Sequence, residues 1–158
     1  MRAWRIYPHT AVYAQARGFD PLDGAGGQVA NRWNEPGNAI IYASANPSLA
    51  VLEVLAHLRQ PNKFGERTIL EFEFEDDIEE VSLEQVRKLR EGGPSDDPEA
   101  RTRAYGTTWL KEKRSLALLV PSFVMPFDFN VLINPLHAKA ASRRIIRQER
   151  VRLDARLL

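Results

Sequence analysis

Apolar and polar residues alternate through the first seven positions, MRAWRIY. Side chains on a pleated strand point to opposite faces in turn, so this stretch predicts a strand. Trp4 and Ile6 are expected on its core face, with Ala3, Arg5 and Tyr7 on the other. The alternation returns at residues 67–76, RTILEFEFED, where Leu70, Phe72 and Phe74 point inward and Glu71, Glu73 and Glu75 form a solvated face. Short apolar runs predict strands at residues 39–44 (AIIYAS) and 116–120 (LALLV), and a further extended piece at 123–127 (FVMPF). In residues 128–135, DFNVLINP, Asn130 and Asn134 flank an apolar trio.

Helical spacing governs the stretches between. Residues 48–59 carry Leu49, Leu52, Val54, Leu55, Ala56 and Leu58, with Ser44 or Asn46 suited to cap and Pro47 to the first turn. Gln60-Pro61-Asn62 ends that helix. Residues 82–90 form a second, capped by Ser82, with Val86 and Leu89 three apart. Residues 101–114 form a third, anchored by Tyr105, Trp109 and Leu110. Short helical turns are expected at 11–18 and 137–142. The tail, RRIIRQERVRLDARLL, reads either as a last strand or as an amphipathic helix burying Ile145, Ile146 and Val151. Strands interspersed with helices, several of them alternating, give an α+β fold with largely antiparallel pairing, expected as one domain over residues 1–158.

Composition narrows the function. The net charge of +1 makes no case for a binder of nucleic acid driven by bulk charge. Cysteine is absent, which excludes thiol nucleophiles, disulfides and Cys-based metal sites. The amino-terminal stretch lacks the apolar core of a secretion signal, and no run reaches the roughly 18 apolar residues of a membrane span, so a cytoplasmic location is expected. His9, His57 and His137 form no zinc motif, and no metal is expected. Gly24, Gly26 and Gly27 suggest a phosphate cradle, but the Lys-Ser/Thr ending of a P-loop is missing, and a flexible connector is the simpler reading.

The candidate chemistry concentrates between residues 31 and 57. Arg32 offers a planar fork of donors suited to phosphate, or else ties its loop together. Tyr42 ends an apolar run; its ring suits a flat heterocycle, and a core position is the alternative. Glu53 sits in LAVLEVLAH among apolar neighbours, where a lone carboxylate is costly unless paired or useful. Such a carboxylate suits the positive charge that develops when a glycosidic bond breaks. His57, one turn on, reads as a helix-end histidine. Ser122 follows Pro121 with no triad partner and no GxSxG, so it is expected to bind ligand oxygen rather than attack.

Four motifs stand in order: LDGAGG, NRWNEPGNAIIYAS, SLAVLEVLAH and VPSFVMPFDFNVLINPLH. Together they resemble the RES domain family, named for an arginine, a glutamate and a serine, over nearly the whole chain. The letters map onto Arg32, Glu53 and Ser122, with Tyr42 as the pocket tyrosine. Ala30-Asn31 stand where the family commonly has Gly-Gly. The resemblance implies an ADP-ribosyltransferase-like fold and the toxin of a toxin–antitoxin pair. It implies cleavage of the nicotinamide–ribose bond of NAD by hydrolysis or phosphorolysis. NAD is then substrate, inorganic phosphate an optional co-substrate, and no cofactor is needed. Catalysis is assigned to Glu53, Arg32 and Tyr42, and substrate binding to Arg32, Tyr42, Ser122 and Asn134. The implied partner is an antitoxin with a helix-turn-helix DNA-binding domain, with homodimerisation inside that complex. Transfer of ADP-ribose to a host protein, and an inactive antitoxin-binding module, are the competing readings.

Overall fold

Seven strands build one mixed sheet: β1 (Arg2–Tyr7), β2 (Ile41–Ser44), β3 (Arg67–Glu73), β4 (Ile78–Glu80), β5 (Ala117–Pro121), β6 (Phe129–Ile133) and β7 (Arg144–Val151). A computed structural model describes residues 1–58 and 60–157; Arg59, expected to end the first helix, lies outside them. The strand order is β4-β5-β6-β2-β1-β3-β7. Every neighbouring pair is antiparallel except β4 with β5. The three helices are α1 (Pro47–Leu58), α2 (Leu83–Glu91) and α3 (Ala100–Glu112). The fold is α+β, as the alternating and helical patterns together predict.

Pleating divides the core. Ala3, Ile41, Ala43, Leu70, Phe72, Val131 and Ile133 pack in one cluster. Ile40, Leu118, Val120 and Leu132 pack in another with Trp33, Val86, Trp109 and Leu110. Local chemistry sets the helix starts. The Asn46 side chain accepts from the Leu49 amide at 2.9 Å, ahead of Pro47 in the first turn of α1. Ser82 and Gln85 form a reciprocal capping box on α2.

Four expectations are corrected. Ala3 pairs with Phe72 and Trp4 with Glu71 across β1 and β3, so the fully buried residue of β1 is Ala3, while Trp4 and Ile6 are only half-buried. A period of two says which residues share a face, not which face is covered more deeply. Glu71 is buried rather than solvated, held by Arg2 at 3.2 Å and Arg147 at 3.3 Å. Residues 123–127 turn instead of extending, because the Ser122 hydroxyl accepts from the amides of Val124 at 3.1 Å and Met125 at 3.0 Å. The tail forms the strand β7, but on the sheet edge, with Ile145 and Ile146 exposed.

Candidate active site

β1 and β2 share one register pair, Trp4 with Ser44, whereas β1 pairs with β3 along its whole length. Where β1 and β2 fail to pair, a cavity of about 690 Å³ opens, lined by Arg5, Arg32, Tyr42, Glu53, His57, Phe123 and Asn130 among others. That lies within the roughly 300–1,000 Å³ of small-molecule sites. α1 supplies the carboxylate, β1 and β2 a guanidinium and an aromatic ring, and the segment before β2 a second guanidinium.

The Arg-Trp-Asn segment splits its three side chains among three tasks. Trp33 is buried in the core cluster of α2 and α3, edge-on to Tyr105. Asn34 is fully buried and fully satisfied: its amide donates to the carbonyls of Val29 and Glu35, both at 3.0 Å, and its oxygen accepts from the Tyr42 hydroxyl at 2.7 Å. Arg32 is left to the cavity. Its Nε donates to Glu99 at 2.7 Å, and its guanidinium lies 4.0 Å from the Phe123 ring centroid. One edge of the fork is therefore paired, and the terminal amino groups make no hydrogen bond among the described residues. The segment is seated by close backbone approach. A Cβ on Gly27 would stand 1.7 Å from the Asn38 carbonyl oxygen, and one on Gly106 of α3 would stand 2.0 Å from that of Trp33. The glycine stretch is thus packed at this point rather than a loose connector. Neither Ala30 nor Asn31 adopts a positive φ, so their presence in place of a Gly-Gly pair costs no backbone strain.

Tyr42 lines the cavity, and its hydroxyl is committed to Asn34. Burial pushes the phenol's pKa upward, and the nearby Arg32 cation offsets part of that.

Glu53 is held by one oxygen. Its Oε1 accepts from the Ser122 hydroxyl at 2.7 Å and from the Asn130 side-chain amide. Asn130 is oriented in turn by the Ser44 hydroxyl, which donates to its Oδ1 at 3.0 Å. The other carboxylate oxygen makes no hydrogen bond or ion pair among the described residues, on a helix that lines the cavity. The arrangement fixes a partly exposed carboxylate and leaves half of it available for a developing cation.

Ser122 does not itself line the cavity. It is 2% exposed; two backbone amides take its lone pairs and Glu53 its proton. Its hydroxyl thus holds the Glu53 carboxylate from behind. Asn134 is apart from the cavity as well, 1% exposed, donating to the Leu110 carbonyl at 2.9 Å and accepting from the Leu136 amide at 3.0 Å. Arg32, Tyr42 and Glu53 are thus brought together at one cavity, Ser122 stands behind Glu53, and Asn134 stands elsewhere.

Arg5 is the residue that sequence reasoning missed. It lines the cavity and donates through Nη1 to the Tyr42 carbonyl at 2.9 Å, bridging β1 to β2 where their pairing fails. Its Nε is buried with no partner among the described residues. Burial lowers the pKa of this guanidinium, against weaker opposing contributions from Tyr13 and Asp23. Like Glu53, Arg5 is a charge between apolar neighbours, Trp4 and Ile6.

The RES domain profile matches residues 2–154. A Sphingobium protein named Prs ADP-ribosylating toxin is 33% identical over 149 residues, 92% of this chain and 90% of that protein. A Pseudomonas putida protein named Toxin Res is 36% identical over 148 residues, 92% of each. One chain of the crystal structure of the Mycobacterium tuberculosis MbcT–MbcA toxin–antitoxin complex is similar at a TM-score of 0.71 and 14% identity, covering 95% of this chain and 83% of that one. At that identity the likeness speaks for the fold. With the profile matched almost end to end, and about a third of positions shared with relatives of similar length, this chain belongs to the RES domain family.

Proposed function

We propose that the protein is the toxin of a toxin–antitoxin pair and that it cleaves the nicotinamide–ribose bond of NAD. The observation that carries this reading is the half-anchored carboxylate of Glu53, facing a cavity that also holds two guanidiniums and an aromatic ring. Breaking the bond leaves positive charge on the ribose, and the free oxygen of Glu53 meets it. The nicotinamide is already cationic and departs neutral, so no acid is needed to protonate it. One carboxylate therefore suffices where most glycosidases use two. Arg5 and Arg32 serve the pyrophosphate, and the Tyr42 ring lies against the nicotinamide.

Relatives named as toxins, one of them ADP-ribosylating, support the toxin reading and favour a protein as acceptor alongside water or inorganic phosphate. The solved complex supports an antitoxin partner, for which we propose a helix-turn-helix protein that covers the cavity. Nicotinamide release from NAD by the purified chain tests the reading. Glu53→Gln is expected to lower the rate by about 10²–10³-fold with the fold intact, the scale of losing one preorganised electrostatic contact. Mass spectrometry assigns the acceptor as ADP-ribose, its phosphorylated form or a modified protein. A folded Glu53→Gln variant as active as the parent removes Glu53 from the chemistry.

A further inference from the structure

We propose that His57 is the general base that takes the proton from the acceptor as it attacks the ribosyl centre, which rests on the NAD-cleaving reading above. The three histidines are held differently. His9 faces Glu66 at 3.2 Å, and His137 faces Asp77 at 3.9 Å while accepting from the Lys139 amide. His57 has no carboxylate partner among the described residues, and its Nδ1 lies 2.7 Å from the Glu53 carbonyl oxygen. A carbonyl only accepts, so Nδ1 carries a proton, and in the neutral tautomer that this selects Nε2 is the lone-pair acceptor. Nε2 makes no hydrogen bond or ion pair among the described residues, and His57, exposed on α1, lines the same cavity as Glu53, one helical turn away.

The two residues divide the reaction. The C1′–N bond breaks and its electron pair leaves with nicotinamide, which becomes neutral. Glu53, with Oε1 already held by Ser122 and Asn130, stabilises the ribosyl cation. The acceptor O–H forms the new C1′–O bond, and its proton passes to His57 Nε2 and then to solvent. For water the sum is NAD⁺ plus water giving nicotinamide, ADP-ribose and a proton.

The test exploits acceptors with no proton to lose. A pyridine such as 3-acetylpyridine attacks C1′ through a bare ring nitrogen, so base exchange into the dinucleotide needs the cation but not the base. The full-length chain, in buffer free of phosphate, is given NAD and 3-acetylpyridine. ADP-ribose plus any ADP-ribosylated protein is followed against exchanged dinucleotide. For His57→Gln we expect O–H transfer to fall about 10²-fold or more, the usual worth of general-base catalysis, with exchange within twofold of the parent. His57→Ala should behave alike, and added imidazole should restore its O–H transfer selectively. Loss of both reactions together reveals a structural helix-end histidine and overturns the proposal, as does unchanged O–H transfer in a folded variant. A parent chain that releases no nicotinamide overturns the underlying reading instead, a distinct result.

Discussion

A carboxylate stabilises a cation only as well as its orientation is fixed, and at Glu53 the fixing is done by two neighbouring side chains. Ser122 and Asn130 occupy one oxygen, and Ser44 orients Asn130. Tyr42 and Asn34 form a second such pair, joining β2 to the Arg-Trp-Asn segment through one hydroxyl. Removing that hydroxyl in Tyr42→Phe keeps the ring at the cavity but leaves a buried amide oxygen without its donor. The expected cost is about 1–3 kcal/mol at neutral pH, read by denaturant unfolding. The alkaline limb of stability tests the same burial. The folded chain holds the phenol proton more tightly than the unfolded chain, whose tyrosines ionise near pH 10. Its contribution is complete below about pH 10 and is lost as the pH rises beyond it. Stability should therefore fall above about pH 10 in the parent and fall less steeply in Tyr42→Phe. Tyr105, also raised by burial and by its bond to Glu79, supplies part of the remaining slope. Equal slopes would show that Tyr42 is not desolvated.

At the scale of elements, α3 decides where Arg32 goes. Gly106 lets the helix lie against the Trp33 carbonyl, Thr107 accepts from the Glu35 amide at 2.8 Å, and Glu99 beside the helix start holds Arg32. Gly106→Ala gains up to about 1 kcal/mol of helix propensity, but its methyl meets backbone that has no rotamer to change. Overpacking of this kind costs about 1–3 kcal/mol, so the net expectation is a lower melting temperature. Displacing Arg32 should raise KM for NAD more than it lowers kcat; an unchanged KM with a lowered melting temperature would separate the helix seat from the site. The elements were the legible part. Periodicity found α1, α2, α3 and β3, a short apolar run found β5, and capping chemistry found the starts of α1 and α2, because all depend on neighbours in sequence. Glu53 and Arg32 stood out because a charge among apolar residues, or in an aromatic turn, is locally anomalous. The partners that orient Glu53 were not legible: Ser122 and Asn130 lie 69 and 77 positions away, and only the β2–β6 pairing brings Asn130 beneath α1. The same limit hides where Ser122 and Asn134 sit. A polar residue at a strand end looks alike whether it faces a cavity or closes a turn.

Taken whole, the molecule is a sheet whose middle is its least paired part. β4, β5, β6 and β2 make one half and β1, β3 and β7 the other; within the sheet they meet at the single register of Trp4 with Ser44 and where Arg5 reaches across to the Tyr42 carbonyl, and on one face they share a core cluster. The candidate groups are divided the same way, with Arg5 on one half and Tyr42 and Asn130 on the other. On the NAD-cleaving reading, a dinucleotide in the cavity would tie the halves together, and the energy of binding would become energy of cohesion. A variant whose turnover is slowed about 10²–10³-fold, Glu53→Gln, isolates this effect. At NAD concentrations about 100 times Kd, binding to the folded state alone contributes about 2.7 kcal/mol. For a chain of this size each kcal/mol moves the melting temperature by about 2–4 °C, so a rise of about 5–10 °C is expected. Adding Arg5→Met deletes a buried cation that lacks a partner at Nε, so the ligand-free protein should not be weakened through lost ion pairing. The same substitution removes one pyrophosphate contact, and the rise at equal NAD concentration should shrink. Hydrogen exchange should show the protection on β1 and β2 together. No rise for Glu53→Gln at millimolar NAD, or an equal rise with and without Arg5, would mean that the dinucleotide does not bridge the two halves at this cavity.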